Sequence, residues 1–253
     1  ATFMLLGKIC TRDCRFCAVE HGKPKAPDPL EPIHVAEAVT RLGLNYVVLT
    51  CVTRDDLADG GAAHFAQTLE AVREKRPTAG IEVLTSDFNG RISALHTVLA
   101  AQPTVFNHNV ETCRRLTPAL RNKADYRRSL DILAAASDYK RGRITTKSGF
   151  MLGAGETEAD VHEMLTDLRT AGVRIITIGQ YLPPSEKHWP LERFVDPSEF
   201  ARWRNVAISE YGFAFAVSAP LVRSSYRAEE AAAAANALSF RSKRYVPGQK
   251  EQK

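Results

Sequence analysis

The chain has 253 residues, 44% hydrophobic and 25% charged, long enough to bury a core as one large domain or two small ones. Five cysteines, an odd number, speak against a secreted disulfide framework. A net charge of +5 suits an acidic partner, but no basic cluster is interleaved with aromatics, and no apolar run reaches membrane-spanning length, so neither nucleic acid nor a membrane is an expected partner.

Thr2 to Leu6 reads as a core strand. A domain rarely starts inside its core, so further N-terminal sequence is expected before it. A cysteine-rich loop follows, then a helix from Pro32 to Leu42 with Val35, Val39 and Leu42 on one face. Short apolar runs bounded by turn residues predict strands at Tyr46–Thr50, Ile81–Thr85, Val105–Asn107, Ile144–Leu152, Ile175–Ile178 and Phe213–Val217. Ala62 to Lys75 is helical, with Phe65, Leu69 and Val72 inward. Thr157, with Asp160 three residues on, caps a helix carrying Val161, Leu165 and Leu168. Asp196-Pro197 starts another, leading to Phe200, Trp203 and Ala207. Gly43, Gly172 and Gly212 stand where C-terminal caps belong. Ala231 to Ala235 marks a short last helix, and Arg241 to Lys253 reads as a polar, basic, disordered tail. Six or seven β–α units predict an α/β protein with a parallel sheet, curved like a partial (βα)6 barrel, or else a flat doubly wound sheet. Residues 1–220 form the barrel, and 221–253 a C-terminal extension. In either architecture the site lies at the C-terminal strand ends.

Cys10, Cys14 and Cys17 form C-x3-C-x2-C in the loop after the first strand. Thiolates ligate iron–sulfur clusters, and three of them leave one iron of a four-iron cluster open for chemistry. A zinc site completed by His21 is the alternative, but structural zinc usually takes two C-x2-C knuckles, and the chain has no second one. This motif, with Phe16 before the last cysteine, resembles the signature of the radical SAM superfamily. The resemblance implies a [4Fe-4S] cluster on Cys10, Cys14 and Cys17 whose open iron binds S-adenosylmethionine (SAM). Electron transfer then cleaves SAM to a 5′-deoxyadenosyl radical.

Further stretches resemble one family, the lipoyl synthases. They are Arg15–Val19, Asn45–Thr50, Thr53–Leu57, Asp59–Gly61, Phe106–Thr112, Thr146–Gly149, Gly153–Thr157, Thr177–Leu182 and Pro220–Tyr226. Together they run from residue 2 to about 230, and Arg223-Ser224-Ser225-Tyr226 is the most diagnostic. Asn109 and Glu111 follow a strand and can bind ribose hydroxyls or the SAM ammonium; a salt bridge of Glu111 with Arg54 or Lys147 is the blander reading. Lys147, in an otherwise apolar strand, needs an anionic partner, from SAM or from a neighbouring side chain. Gln180 ends a strand and is a candidate contact to adenine or ribose. Gly153-x-Gly155-Glu156 lets backbone approach a ligand closely. His108 is a proton donor or a structural histidine; His21 and His188 are surface residues. Asp55 and Asp56 resemble an acid pair, of which one is read as a cap or salt-bridge partner. Cys51 and Cys113 are small buried side chains.

The family resemblance implies insertion of sulfur at C6 and C8 of an octanoyl chain bound to a carrier lysine. It implies a second, auxiliary [4Fe-4S] cluster as sulfur source, held by three cysteines in C-x4-C-x5-C and by a serine of Arg-Ser-Ser-Tyr, here Ser225 rather than Ser224, with Arg223 near its charge. That cysteine motif is absent from the sequence. Either the chain is a fragment, which the abrupt start favours, or SAM cleavage survives without sulfur insertion. Implied partners are octanoylated lipoyl domains of 2-oxoacid dehydrogenases, the glycine-cleavage H protein, an electron donor such as ferredoxin or flavodoxin, and an iron–sulfur carrier. Bacterial cytoplasm is the expected location, with mitochondrion or plastid as alternatives. Another radical SAM sulfur-inserting enzyme, a methylthiotransferase or a cluster carrier are the competing readings.

Overall fold

The computed structural model describes residues 1–237. The expected disordered tail from Arg241 lies outside them. In chain order the elements are β1 (Thr2–Leu5), α1 (Glu31–Arg41), β2 (Tyr46–Cys51), α2 (Ala62–Lys75), β3 (Gly80–Leu84), α3 (Ile92–Ala100), β4 (Val105–Asn107), α4 (Thr117–Leu120), α5 (Tyr126–Asp138), β5 (Thr145–Leu152), α6 (Glu158–Thr170), β6 (Ile175–Gln180), α7 (Pro197–Ser209), β7 (Phe215–Ser218) and α8 (Ala228–Ala237).

The strands form one parallel sheet in sequence order, β1 to β7. Six βα units are thus followed by a seventh strand, an α/β barrel-like sheet. A doubly wound sheet would need the strand order to reverse, and here it never does.

Local chemistry explains the helix starts. Thr157 and Asp160 close a reciprocal capping box on α6, and Asp196 and Asp125 cap α7 and α5 by accepting from Ser198 N and Arg128 N. At the end of α6, Gly172 takes φ 79°, a left-handed position where a side chain would be strained. The last strand starts two residues later than its apolar run, because Phe213 packs with the helices instead.

Strand alternation sends side chains to two different environments. On the outer face Val47, Leu49, Ile81, Val83 and Phe106 join Val39, Phe65, Leu69 and Leu99 in one core. Phe150, Leu152, Ile176 and Ile178 join Leu165, Leu168, Phe200 and Trp203 in another. Each fully buried large side chain contributes about 1.5–3 kcal/mol. The inner face is different. Val105 and Ile175 meet Ala231, Ala232 and Ala235 of α8, with Tyr46 and Phe215 alongside. Alanine lets the helix approach the sheet closely, which gives the alanine run its structural use. Among the described residues no helix is long and apolar enough to cross a membrane.

Candidate metal centre

The loop from Leu6 to Leu30 has almost no regular structure, so its backbone groups must find partners elsewhere. Leu6 enters at φ 66°; its N–H donates to Glu31 Oε2 and its carbonyl accepts from Arg54 Nη1. Cys10 N donates to Glu20 O, and Gly22 N to Cys10 O. Thr11 N bonds Thr53 O, Arg15 N bonds Leu120 O, and Trp189 N bonds Arg15 O, while the Arg15 guanidinium lies 4.8 Å from the Trp189 ring centre. Segments after β2, β4 and β6 therefore clamp the cysteine loop from three sides.

Cys10, Cys14 and Cys17 are half-buried free thiols. Arg12 N donates to Cys10 Sγ at 3.4 Å and Val19 N to Cys17 Sγ at 3.5 Å. Burial pushes the Cys14 and Cys17 thiols up, and both feel Cys10 and the Glu111 carboxylate; Arg121 opposes the rise at Cys14. Metal ligation takes the thiolate form, so a metal group binding here would displace their protons. N–H donors on the sulfurs are what a cluster environment supplies. Among the described residues no three His, Cys, Asp or Glu side chains converge on a single ion. Three free thiols on one loop, two of them with backbone N–H donors at sulfur, are a donor set that would suit an iron–sulfur cluster. Phe16 is half-buried against the core that includes Phe150 and Val161.

Asn109 and Glu111 come together beside the thiols. Asn109 Nδ2 donates to Glu111 Oε1 at 3.1 Å and to Ser224 Oγ at 2.5 Å. Its Oδ1 is buried and finds no partner among the described residues, an acceptor that a ligand hydroxyl or ammonium would satisfy. Glu111 holds φ 66°, strained for a non-glycine residue, while its backbone bridges β5 through Gly149 O and Met151 N. Desolvation pushes its carboxyl up; Arg121 and Asn109 pull it back. Arg121 is buried and donates to Val110 O at 2.9 Å. Nothing in the sequence pattern marked it; it enters the site because α4 ends there.

Several expected roles change. Lys147 Nζ lies 2.8 Å from Glu82 Oε1, both side chains fully buried. Its anionic partner is the neighbouring carboxylate, not SAM, so its cofactor-binding role is withdrawn. Gln180 is corrected likewise. Its Nε2 donates to Leu152 O, Tyr181 O and Arg193 O, and its Oε1 accepts from Val195 N. Every polar atom of the amide is engaged, tying residues 181–195 to the end of β5. The close approach allowed by Gly153 is to protein as well: a Cβ there would collide with Gln180 Nε2 and Arg193 O. Glu111 pairs with neither Arg54 nor Lys147, since Arg54 is forked onto Asp56 and Asp55 onto Arg12. Both carboxylates of the apparent acid pair are thus salt-bridge partners.

His108 is structural: Nδ1 is 2.9 Å from Thr85 O and Nε2 3.0 Å from Ser129 Oγ, and burial lowers its pKa to about 4. Burial pushes the thiol of Cys51 up to about 12 and raises that of Cys113. His188 is held by Ser185 Oγ at 2.9 Å, and the backbone of His21 bridges Cys10. The two serines separate. Ser224 faces Asn109, whereas Ser225 lines a cavity of about 280 Å³ with Ala1, Thr2, Tyr46 and Val48.

Comparison with known proteins agrees with this geometry. Residues 4–168 match the radical SAM superfamily. The chain is 52% identical over 230 residues to lipoyl synthase of Caldicellulosiruptor saccharolyticus, covering 91% of this chain and 80% of the relative. It is 53% identical over 234 residues to lipoyl synthase of Methylococcus capsulatus, covering 92% and 72%. Among solved structures, the FeFe-hydrogenase maturase HydG from Carboxydothermus hydrogenoformans superposes with a TM-score of 0.67 at 12% identity, over 84% of this chain and 51% of that one; this likeness speaks for the fold alone. Three clustered thiols at the mouth of a parallel sheet, together with identity this high over this much of the chain, lead to one assignment: the chain belongs to the lipoyl synthase family, sulfur-inserting enzymes of the radical SAM superfamily that use a [4Fe-4S] cluster, SAM and lipoyl-domain substrates.

Proposed function

We propose that Cys10, Cys14 and Cys17 hold the radical-generating [4Fe-4S] cluster and that Asn109 and Glu111 bind SAM beside it. The observation that carries this reading is the orphaned Asn109 Oδ1, buried next to Glu111 and the free thiols. When bound, cluster and SAM supply the radical that takes hydrogen from unactivated carbons of the octanoyl chain. The protein's own work is positional. Val19 N and Arg12 N direct hydrogen bonds at two of the sulfurs. Arg121 offsets negative charge at Cys14 and Glu111. Phe16 packs the loop against the core, and the Arg15–Trp189 stack ties it to the segment after β6.

Ser225 is the oxygen ligand of an auxiliary, sulfur-donating cluster in this reading, with Arg223 near its charge. Its support is the separation of the two serines: Ser224 is engaged by Asn109, and Ser225 borders its own cavity beside Ala1 and Thr2. Residues 1–253 contain no C-x4-C-x5-C triplet to complete that cluster. Octanoylated lipoyl domains of 2-oxoacid dehydrogenases and the H protein are the proposed substrates. Ferredoxin or flavodoxin is the proposed electron donor, and an iron–sulfur carrier the source of new clusters.

The test is anaerobic reconstitution of the chain, followed by dithionite, SAM and an octanoylated lipoyl domain. About four irons per chain and 5′-deoxyadenosine are expected, both lost in Cys14→Ala. A folded chain with neither iron nor deoxyadenosine refutes the ligand assignment. Lipoyl product from residues 1–253 alone refutes the auxiliary-cluster reading, because the sulfur would then come from elsewhere.

A further inference from the structure

Beside the cysteines lies a charge system that the reaction, as described, does not use. Arg12 is 4% exposed although it stands in a loop. Its Nε and Nη2 fork onto Asp55 at 2.8 and 3.0 Å, and Nη2 also reaches Asp87 Oδ1 at 2.5 Å and Asn89 Oδ1 at 2.9 Å. The other oxygen of Asp87 takes Arg128 Nε at 2.8 Å, and its side chain has no solvent exposure. Asn89, at φ 51°, donates to Asp55 Oδ1 at 2.9 Å. Two cations and two anions thus link the cysteine loop, through the segments after β2 and β3, to α5. Burying charges costs several kcal/mol per ion, and packing a loop does not require it. The backbone N–H of the residue so firmly held is the one that donates to Cys10 Sγ.

We propose that Arg12 is a positioning residue: braced by Asp55 and Asp87, it holds its own peptide N–H on the Cys10 sulfur and fixes the local charge, so that this quartet tunes the reduction potential of the cluster. The inference rests on the cluster assignment above.

Hydrogen bonds to sulfur and nearby positive charge favour the reduced, more negative cluster. Each substitution therefore has a sign. Asp87→Asn leaves the quartet with net positive charge, so the potential rises. Arg12→Gln leaves it net negative and loosens the N–H, so the potential falls. A merely structural role would move both variants the same way, towards iron loss.

The experiment is an EPR-monitored redox titration of the reconstituted full chain without SAM, with iron content measured alongside. Opposite shifts of the midpoint potential, at iron contents near that of the parent, are expected. Asp55→Asn, at a more exposed carboxylate, gives a smaller rise and serves if Asp87→Asn does not fold. Unchanged potentials, shifts of the same sign, or folded aspartate variants that all lack iron would overturn the proposal. Iron retained by Cys14→Ala would instead overturn the cluster assignment, so the two failures are distinguishable.

Discussion

Two buried charge systems, one inside the sheet and one over its strand ends, follow different rules. In the interior, Lys147 and Glu82 pair with no exposure on either side, supported by Asn107 Nδ2 at 3.0 Å and the Tyr46 hydroxyl at 3.3 Å from the Glu82 carboxylate. At the mouth, Arg12, Asp55, Asp87 and Arg128 share charge in a chain, and Asp55 and Arg128 keep about a quarter of their side chains in water. The interior pair has one cation for one anion and no water to fall back on. In the mouth quartet each inner ion has two opposite partners. Removing one member should therefore damage stability most in the interior and chemistry most at the mouth.

The largest expected effect tests the interior. Lys147→Met should lower stability by about 3–5 kcal/mol, because it strands Glu82 in a dry site. Adding Glu82→Gln should restore most of the loss. Denaturant unfolding of the single and double variants measures both, and a single variant costing less than about 1 kcal/mol would show that water reaches the pair.

Next comes His108, which feels Asp87, Arg12 and Arg121. Its pKa is lowered to about 4 in the fold, against about 6.5 unfolded. The unfolded chain therefore binds the extra proton between these values. Stability is unaffected above pH 6.5, falls as pH drops from 6.5 to 4, and levels off below, for a total near 3 kcal/mol. His108→Gln should flatten that stretch of the stability–pH curve relative to the parent. Parallel curves would place the titration elsewhere.

Gly153→Ala should cost about 2 kcal/mol, since φ 97° strains alanine and the new methyl meets Gln180 and Arg193. Enhanced proteolysis within residues 181–195 would accompany it; a loss spread over the whole chain would speak against a local clamp. Asp55→Asn should cost only about 1 kcal/mol, because Asp87 still holds Arg12. An effect as large as that of Lys147→Met would remove the contrast between the two systems. Smallest of all, Arg127→Ala breaks an exposed pair with Asp131 on α5 and should change stability by about 0.3 kcal/mol, within error in the same unfolding assay.

Legibility in the sequence followed the range of the interaction. The cysteine loop, the seven strands and the α6 capping box are written in neighbouring residues, so spacing and periodicity revealed them. Helices α3, α4 and α5 went unmarked, although β–α alternation leaves room for them. Gln180 carried a usable warning: it shares parity with Ile176 and Ile178, which face the helices, so it points away from the inner face of the sheet. Lys147 has the opposite parity, and its inward position alone could not choose between a ligand and a side chain as partner.

The sequence by itself determined the parallel α/β architecture and the family, because hydrophobic period and local motifs act over a few residues at a time. Only the tertiary structure decided which charges meet. Arg12 finds Asp87 across 75 positions, Lys147 finds Glu82 across 65, and Asn109 finds Ser224 across 115. Those pairings follow from the lateral register of the strands and the course of the loops over their ends, to which no local pattern in the chain is tied.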